Sequence, residues 1–188
     1  MNKGLVFVVS APAGTGKTTL VRMLLDEFSS VVESVSFTTR HPRENEVAGR
    51  DYHFISKAEF RKKIEEGEFL EYAEVFGNYY GTSRKALEQQ LGKGKHVILV
   101  IDTQGALQLK KKLDAVFIFV SPPSLEELRA RLFQRRSESE ESMEKRLSWA
   151  EKEMELLLQY DYHIVNDQLK VAYDALRSIL IAEEHRNR

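Results

Sequence analysis

Short apolar runs alternate with longer amphipathic stretches along this chain. Leu5 to Ser10 (LVFVVS), Val97 to Asp102 (VILVID) and Val116 to Ser121 (VFIFVS) hold β-branched and aromatic residues with almost no polar alternation. That is the pattern of parallel strands covered on both faces, and Tyr162 to Val165 is a shorter run of the same kind. Between these runs the apolar positions fall at helical spacing. Leu20, Val21, Leu24, Leu25 and Phe28 make one such face, Met143, Leu147, Ala150, Met154 and Leu157 a second, and Leu169, Ala172, Leu176 and Ile179 a third. Ser56 with Glu59, and Ser124 with Glu127, are capping-box pairs. They predict a helix ending near Gly67 and another running through the mid-130s.

Strand, loop and helix in that order predict an α/β fold with a mainly parallel central sheet. Between roughly Phe37 and Ala86 the rhythm changes to short strand-like pieces, polar turns and many tyrosines, an insertion folded against the α/β core.

At 188 residues the chain is long enough for one domain with a sizeable core. A formal net charge of -1 gives no overall attraction to nucleic acid or membrane, so any anion site must be local. The absence of cysteine excludes disulfides and thiolate metal sites, and the five histidines show no metal-ligand spacing. A strand-like run beginning at Leu5 leaves no room for a targeting peptide, and no apolar run approaches membrane-spanning length. The expected location is cytoplasmic.

The chemistry begins directly after the first run. Ala11, Pro12, Ala13, Gly14, Thr15, Gly16, Lys17, Thr18 and Thr19 match the phosphate-loop pattern G-x-x-x-x-G-K-S/T, except that Ala11 stands where the first glycine is usual. Such a loop turns successive N–H groups inward around a phosphate and feeds a helix N-terminus that favours an anion. Lys17 is expected to reach the β- and γ-phosphates, and the Thr18 hydroxyl to ligate Mg²⁺. Asp102, closing the second buried run, is placed to join the Mg²⁺ shell through water; the plainer reading is a strand-end or helix-capping aspartate.

A phosphate loop alone fits a nucleotide kinase, a GTPase, a motor or a transporter ATPase. The remaining motifs narrow this. SFTTRHPR (Ser36 to Arg43), GRDYHF (Gly49 to Phe54), FLEYAE (Phe69 to Glu74) and GNYYGTS (Gly77 to Ser83) resemble, in order and spacing, the GMP-site motifs of guanylate kinases. IDTQG (Ile101 to Gly105), PPSL (Pro122 to Leu125), RRSESEESMEKRL (Arg135 to Leu147) and IVND (Ile164 to Asp167) extend the likeness from Leu5 to Leu180.

The resemblance implies a P-loop NTPase three-layer fold with a GMP-binding insertion and a helical lid. As one domain over residues 1–188, it would have a core of 1–36, 87–125 and 150–188, a GMP-binding subdomain at 37–86 and a lid at 126–149. It implies Mg²⁺-dependent transfer of the γ-phosphoryl group of ATP to GMP, with dGMP also accepted. The acceptor is a phosphate monoester, largely ionised near neutral pH, so the reaction needs charge compensation rather than a general base.

By the same resemblance Arg40, Arg43, Tyr52 and Tyr80 hold the GMP phosphate, and Glu71 accepts the N1–H and N2–H donors of guanine, which adenine lacks. Ser36, Thr82 and Asp102 complete the acceptor site. Lys17, Arg43, Arg135 and Arg146 stabilise the transferring group, the last two from the lid. Asn166 and Asp167 lie beside adenine. Taken alone, Arg40 and Arg43 equally fit a solvated turn, Arg131 and Arg136 a surface pairing with nearby glutamates, and Asn166 with Asp167 an Asx-type turn.

Two positions depart from the family pattern. Val100 stands where a second carboxylate is usual, so contacts of that group do not transfer, and Ala11 and Ala13 replace the usual glycine and serine. Rival readings are a phosphopeptide-binding module built on the same fold, disfavoured by the intact Gly16, Lys17 and Thr18, and a kinase for another monophosphate. No nucleic-acid or membrane partner is expected, and the chain is expected to be a monomer or homodimer.

Overall fold

The computed structural model describes residues 4–134 and 140–187. The chain divides into two compact units, Met1–Val8 with Ser30–Ala115 and Val9–Ser29 with Val116–Arg188. The main sheet has the strand order β2-β7-β1-β8-β9, where β1 is Val6–Ser10, β2 Val31–Glu33, β7 His96–Val100, β8 Val116–Ser121 and β9 Tyr162–Val165. A second sheet has the order β4-β3-β6-β5, formed by β3 (Phe37–Thr38), β4 (His53–Phe54), β5 (Phe69–Val75) and β6 (Asn78–Ser83). The helices are α1 (Lys17–Glu27), α2 (Lys57–Glu65), α3 (Arg84–Gly92), α4 (Thr103–Lys110), α5 (Leu125–Gln134), α6 (Glu140–Met154) and α7 (Leu169–Glu184).

In the first unit β2 runs parallel to β7, with Val32 opposite Val97. Val97, Ile98 and Leu99 are fully buried, as an uninterrupted apolar run requires. The second sheet is mixed: β3 and β4 are parallel, whereas β6 is antiparallel to both β3 and β5. Val75 faces Asn78 across a two-residue turn in which Phe76 (φ 49°) and Gly77 (φ 78°) both take left-handed backbone, the arrangement whose twist suits a hairpin. Phe60 of α2 is wholly buried and stacks on Phe69 at 4.5 Å and Tyr79 at 5.4 Å. The predicted capping box of Ser56 and Glu59 is complete, and Gly67 turns the chain just past the helix at φ 68°.

Helix α4 lies along the outer strand β5. Gln108 Nε2 donates to the Tyr72 carbonyl at 2.7 Å and its Oε1 accepts from the Tyr72 amide at 3.4 Å, while Gln104 Nε2 donates to the Glu74 carbonyl at 3.4 Å.

In the second unit β8 and β9 are parallel, Ile118 facing Tyr162 and Ser121 facing Val165. Helix α1 packs on α7, where the Tyr173 hydroxyl donates to Glu27 and Arg177 pairs with the same carboxylate at 2.6 Å. Helices α5 and α6 are joined by Arg129 and Glu144 at 2.5 Å.

Three expectations need correction. Ser124 caps α5 by accepting from the Glu127 amide at 3.1 Å, but the Glu127 carboxylate pairs with Arg131 at 3.0 Å instead of returning to the cap. Leu157 belongs to a separate 3₁₀ turn, because α6 ends at Met154. On α7 the buried stripe is Ala172, Tyr173, Leu176 and Leu180; Leu169 at the first turn is exposed, since none of the described residues covers it.

Candidate active site

The first cluster grows from the turn between β3 and β4. The Arg40 amide donates to Thr38 Oγ1 at 3.1 Å, starting a turn that brings Glu46 back under the guanidinium. Arg40 Nη2 donates to both Glu46 oxygens, at 2.8 and 2.9 Å, and Arg40 Nη1 donates to the His41 carbonyl at 2.7 Å. Its guanidinium carbon lies 5.4 Å from the centre of the Tyr52 ring, which meets Tyr80 edge to face at 5.9 Å. Three of the four residues expected to hold a phosphate, Arg40, Tyr52 and Tyr80, are thus together. Arg43 stands at the rim, with its amide donating to Glu46 at 2.8 Å and its side chain largely exposed.

Glu46 was not anticipated. Burial would raise its carboxyl, but the hydrogen bonds from Arg40 and the Arg43 amide outweigh that and hold it below the usual carboxylate range. The available signal was its position three residues after Arg43, where a carboxylate can turn back on both arginines.

The second cluster lies on β5 and β6. Thr82 pairs with Glu71 in register, and the Thr82 hydroxyl donates to Glu71 Oε1 at 2.5 Å. Two residues back on β6, Tyr80 points to the same face, so one strand carries groups for both clusters. Glu71 is 4% exposed and Thr82 fully buried. Burial is the main influence on the Glu71 carboxyl; the Thr82 bond opposes it, the Asp102 charge adds to it, and the result is a pKa pushed up to about 7. Ser36 is buried just before β3, its carbonyl accepting from the His53 amide at 2.9 Å. Asp102 is the N-cap of α4, accepting from the Gly105 amide at 2.8 Å, so the plainer helix-capping reading describes its Oδ1.

In the second unit the phosphate loop follows β1 and enters α1. Gly14 (φ 95°) and Gly16 (φ 89°) supply its left-handed turns, and Gly16 is the N-cap of the helix. Thr15 anchors the loop through its hydroxyl, which donates to the Pro12 carbonyl at 2.9 Å. Ala11 is buried and outside the left-handed region, so its substitution for glycine costs the loop no conformation it needs. Lys17 and Thr18 occupy the first two helical positions, with Thr18 exposed.

Asn166 follows β9 and is buried against this loop. Its Nδ2 donates to the Thr15 carbonyl at 2.6 Å, and Arg131 Nη1 donates to the Asn166 carbonyl at 3.0 Å. Asp167 is exposed. Arg146 lies half-buried on α6, while Arg135 and Arg136 fall outside the described residues. Among the described residues no group of three or more His, Cys, Asp or Glu side chains could hold a metal ion. No helix among them is long and apolar enough to cross a membrane.

Residues 3–183 match the profile of the family described as guanylate kinase. The chain is 59% identical over 184 residues to guanylate kinase of Protochlamydia amoebophila strain UWE25, covering 98% of this chain and 93% of that one. It is 48% identical over 186 residues to guanylate kinase of Clostridium perfringens strain SM101, covering 98% and 86%. The crystal structure of guanylate kinase from Anaplasma phagocytophilum matches with a TM-score of 0.83 at 38% identity, covering 100% of this chain and 89% of that one. Shikimate kinase from Bacteroides thetaiotaomicron, at a TM-score of 0.50 and 11% identity over 94% and 98% of the two chains, shares the fold alone. With a phosphate loop in one unit and a tyrosine-lined arginine cluster beside a buried carboxylate in the other, the chain belongs to the guanylate kinase family of nucleoside monophosphate kinases.

Proposed function

We propose that this enzyme transfers the γ-phosphoryl group of ATP to GMP, and to dGMP, giving ADP and GDP. The observation that carries this reading is Glu71, a buried carboxylate oriented by Thr82 on the strand that also presents Tyr80. An ionised carboxylate in that position takes the paired N1–H and N2–H donors of guanine, which adenine and the pyrimidines do not offer in that geometry. Arg40, Arg43, Tyr52 and Tyr80 receive the acceptor phosphate, and Ser36 and Asp102 add polar contacts to the base.

Gly14, Gly16 and Lys17 cradle the donor phosphates, with Asn166 and Asp167 toward the adenine. Arg43, Arg135 and Arg146 offset charge on the transferring group. In this reading 37–86 is the acceptor subdomain and 126–149 the lid. The acceptor oxygen is already ionised near neutral pH, so these residues position and neutralise rather than remove a proton.

Thr18 fits a magnesium ligand: it is an exposed hydroxyl-bearing residue on the first turn after the loop, and magnesium held mainly by nucleotide phosphates and water needs no carboxylate cage. When bound there, the ion would offset negative charge on the donor phosphates. The reaction belongs to purine nucleotide metabolism in the cytoplasm, with free ATP and GMP as partners.

A coupled assay of ADP formation tests the reading, with GMP, AMP, dTMP, CMP and UMP offered separately beside a control without acceptor. GMP-dependent turnover well above the rest, abolished by Lys17→Met, is the expected result. Nucleotide binding without transfer to any acceptor would move the assignment to a recognition module.

A further inference from the structure

Gly105 is a glycine inside a helix whose backbone does not call for one. It is the third residue of α4 and takes no left-handed φ, so the poor helix propensity of glycine is borne there without a conformational return. The reason is space. A Cβ at this position would lie 2.4 Å from Glu71 Oε2 and 3.0 Å from Glu71 Cδ. It would also stand 3.4 Å from Asp102 Oδ1.

We propose that Gly105 is a positioning residue for guanine recognition, its missing side chain being the slot that holds the Glu71 carboxylate in register with the base. The inference rests on the GMP reading above. The slot is closed on three sides. Thr82 holds Oε1 at 2.5 Å, the Gly105 position bounds Oε2, and the Asp102 cap, accepting from the Gly105 amide at 2.8 Å, keeps the first turn of α4 from sliding away. A methyl group on α4 therefore displaces the end of the Glu71 side chain rather than any backbone. A bidentate contact to two donors on a planar ring is sensitive to that movement, because it depends on both oxygens lying in the plane of the base.

The test compares wild type, Gly105→Ala, Glu71→Asp and the double variant, measuring KM and kcat with GMP and with IMP, whose base lacks the N2 amino group, together with ATP affinity and thermal unfolding. For Gly105→Ala we expect wild-type folding and ATP affinity. We also expect a GMP KM raised about tenfold or more and a reduced preference for GMP over IMP. Shortening the carboxylate relieves the collision, so the double variant is less impaired than the product of the two single effects. If Gly105→Ala fails to fold and Glu71→Asp restores folding, the same contact is reported. An unchanged GMP KM and base preference in Gly105→Ala, or independent multiplication of the two costs, overturns the proposal while leaving the GMP reading intact. Absence of GMP-dependent turnover in the wild type overturns both.

Discussion

Asn166 ties the phosphate loop to the end of β9: its side-chain Nδ2 donates to the Thr15 carbonyl at 2.6 Å, across 151 positions of sequence. The same amide nitrogen sits 2.6 Å from where a Cβ on Gly16 would stand, so loop and amide are closely fitted. Replacing Asn166 by Ala leaves a buried carbonyl without its donor, a loss of about 1–3 kcal/mol. We expect weaker ATP binding and a lower unfolding temperature, with the GMP KM little changed. Calorimetric ATP titration and thermal unfolding of Asn166→Ala measure both, and wild-type ATP affinity would remove the residue from loop support.

Burial of the Glu71 carboxyl predicts a pH dependence of definite sign. Its carboxyl is raised by burial from an ordinary value of 4.5 to about 7. The stability linked to this group is therefore full below the unfolded value, falls between roughly 4.5 and 7, and stays low above that window. Glu71→Gln should flatten this descent, gaining on the wild type as pH rises. The proposed contact with guanine requires the ionised form, so on that reading GMP affinity should improve as pH rises through about 7, separately from ionisation of the GMP phosphate near 6. KM profiles of the two proteins decide this, since the step near neutrality must vanish in the variant.

Glu46 grips Arg40 with both oxygens while its own side chain is only 16% exposed. We expect orientation of the guanidinium to outweigh the positive charge released by removing the carboxylate, since an arginine fork binds phosphate through its plane. Glu46→Gln should lower kcat/KM for GMP several-fold and leave the ATP KM unchanged. A GMP KM lower than that of the wild type would mean that Glu46 competes with the acceptor instead of aligning its receiver.

Phe76 holds φ 49° at an exposed turn, where the Cβ of an ordinary residue crowds the following carbonyl oxygen. Asparagine suits such backbone beside Gly77, so Phe76→Asn should stabilise the protein by roughly 0.5–1 kcal/mol. Urea denaturation measures it, and a loss of stability would show that the ring's apolar contacts outweigh the strain.

Local patterns in the sequence carried much of this architecture. VFIFVS predicts a strand over the same residues that form β8, and Ser56 with Glu59 predicts a helix start that the structure completes with both bonds. Such features need only neighbouring residues. Glu46 escaped because it acts within its own turn, where no regular spacing marks a partner, and Gly105 and the glutamines of α4 because each acts on a group its own segment does not contain. Leu169 misled for the same reason: its spacing continues an apolar stripe, but exposure depends on whether another element covers that turn. The motif-based reading brought Arg40, Tyr52 and Tyr80 together, and Glu71 with Thr82, whereas Arg43 is largely exposed and Arg135 lies outside the described residues.

The glutamine contacts along β5 have a consequence for crowded solution. β5 is the outer strand of its sheet, and an open strand border templates pairing between molecules. Gln108 presents an amide N–H and C=O to Tyr72 much as a neighbouring strand would, and Gln104 continues the mimicry at Glu74. A helix thus covers with two side chains the outer margin of the strand that bears Glu71, where an open β-strand would invite self-association.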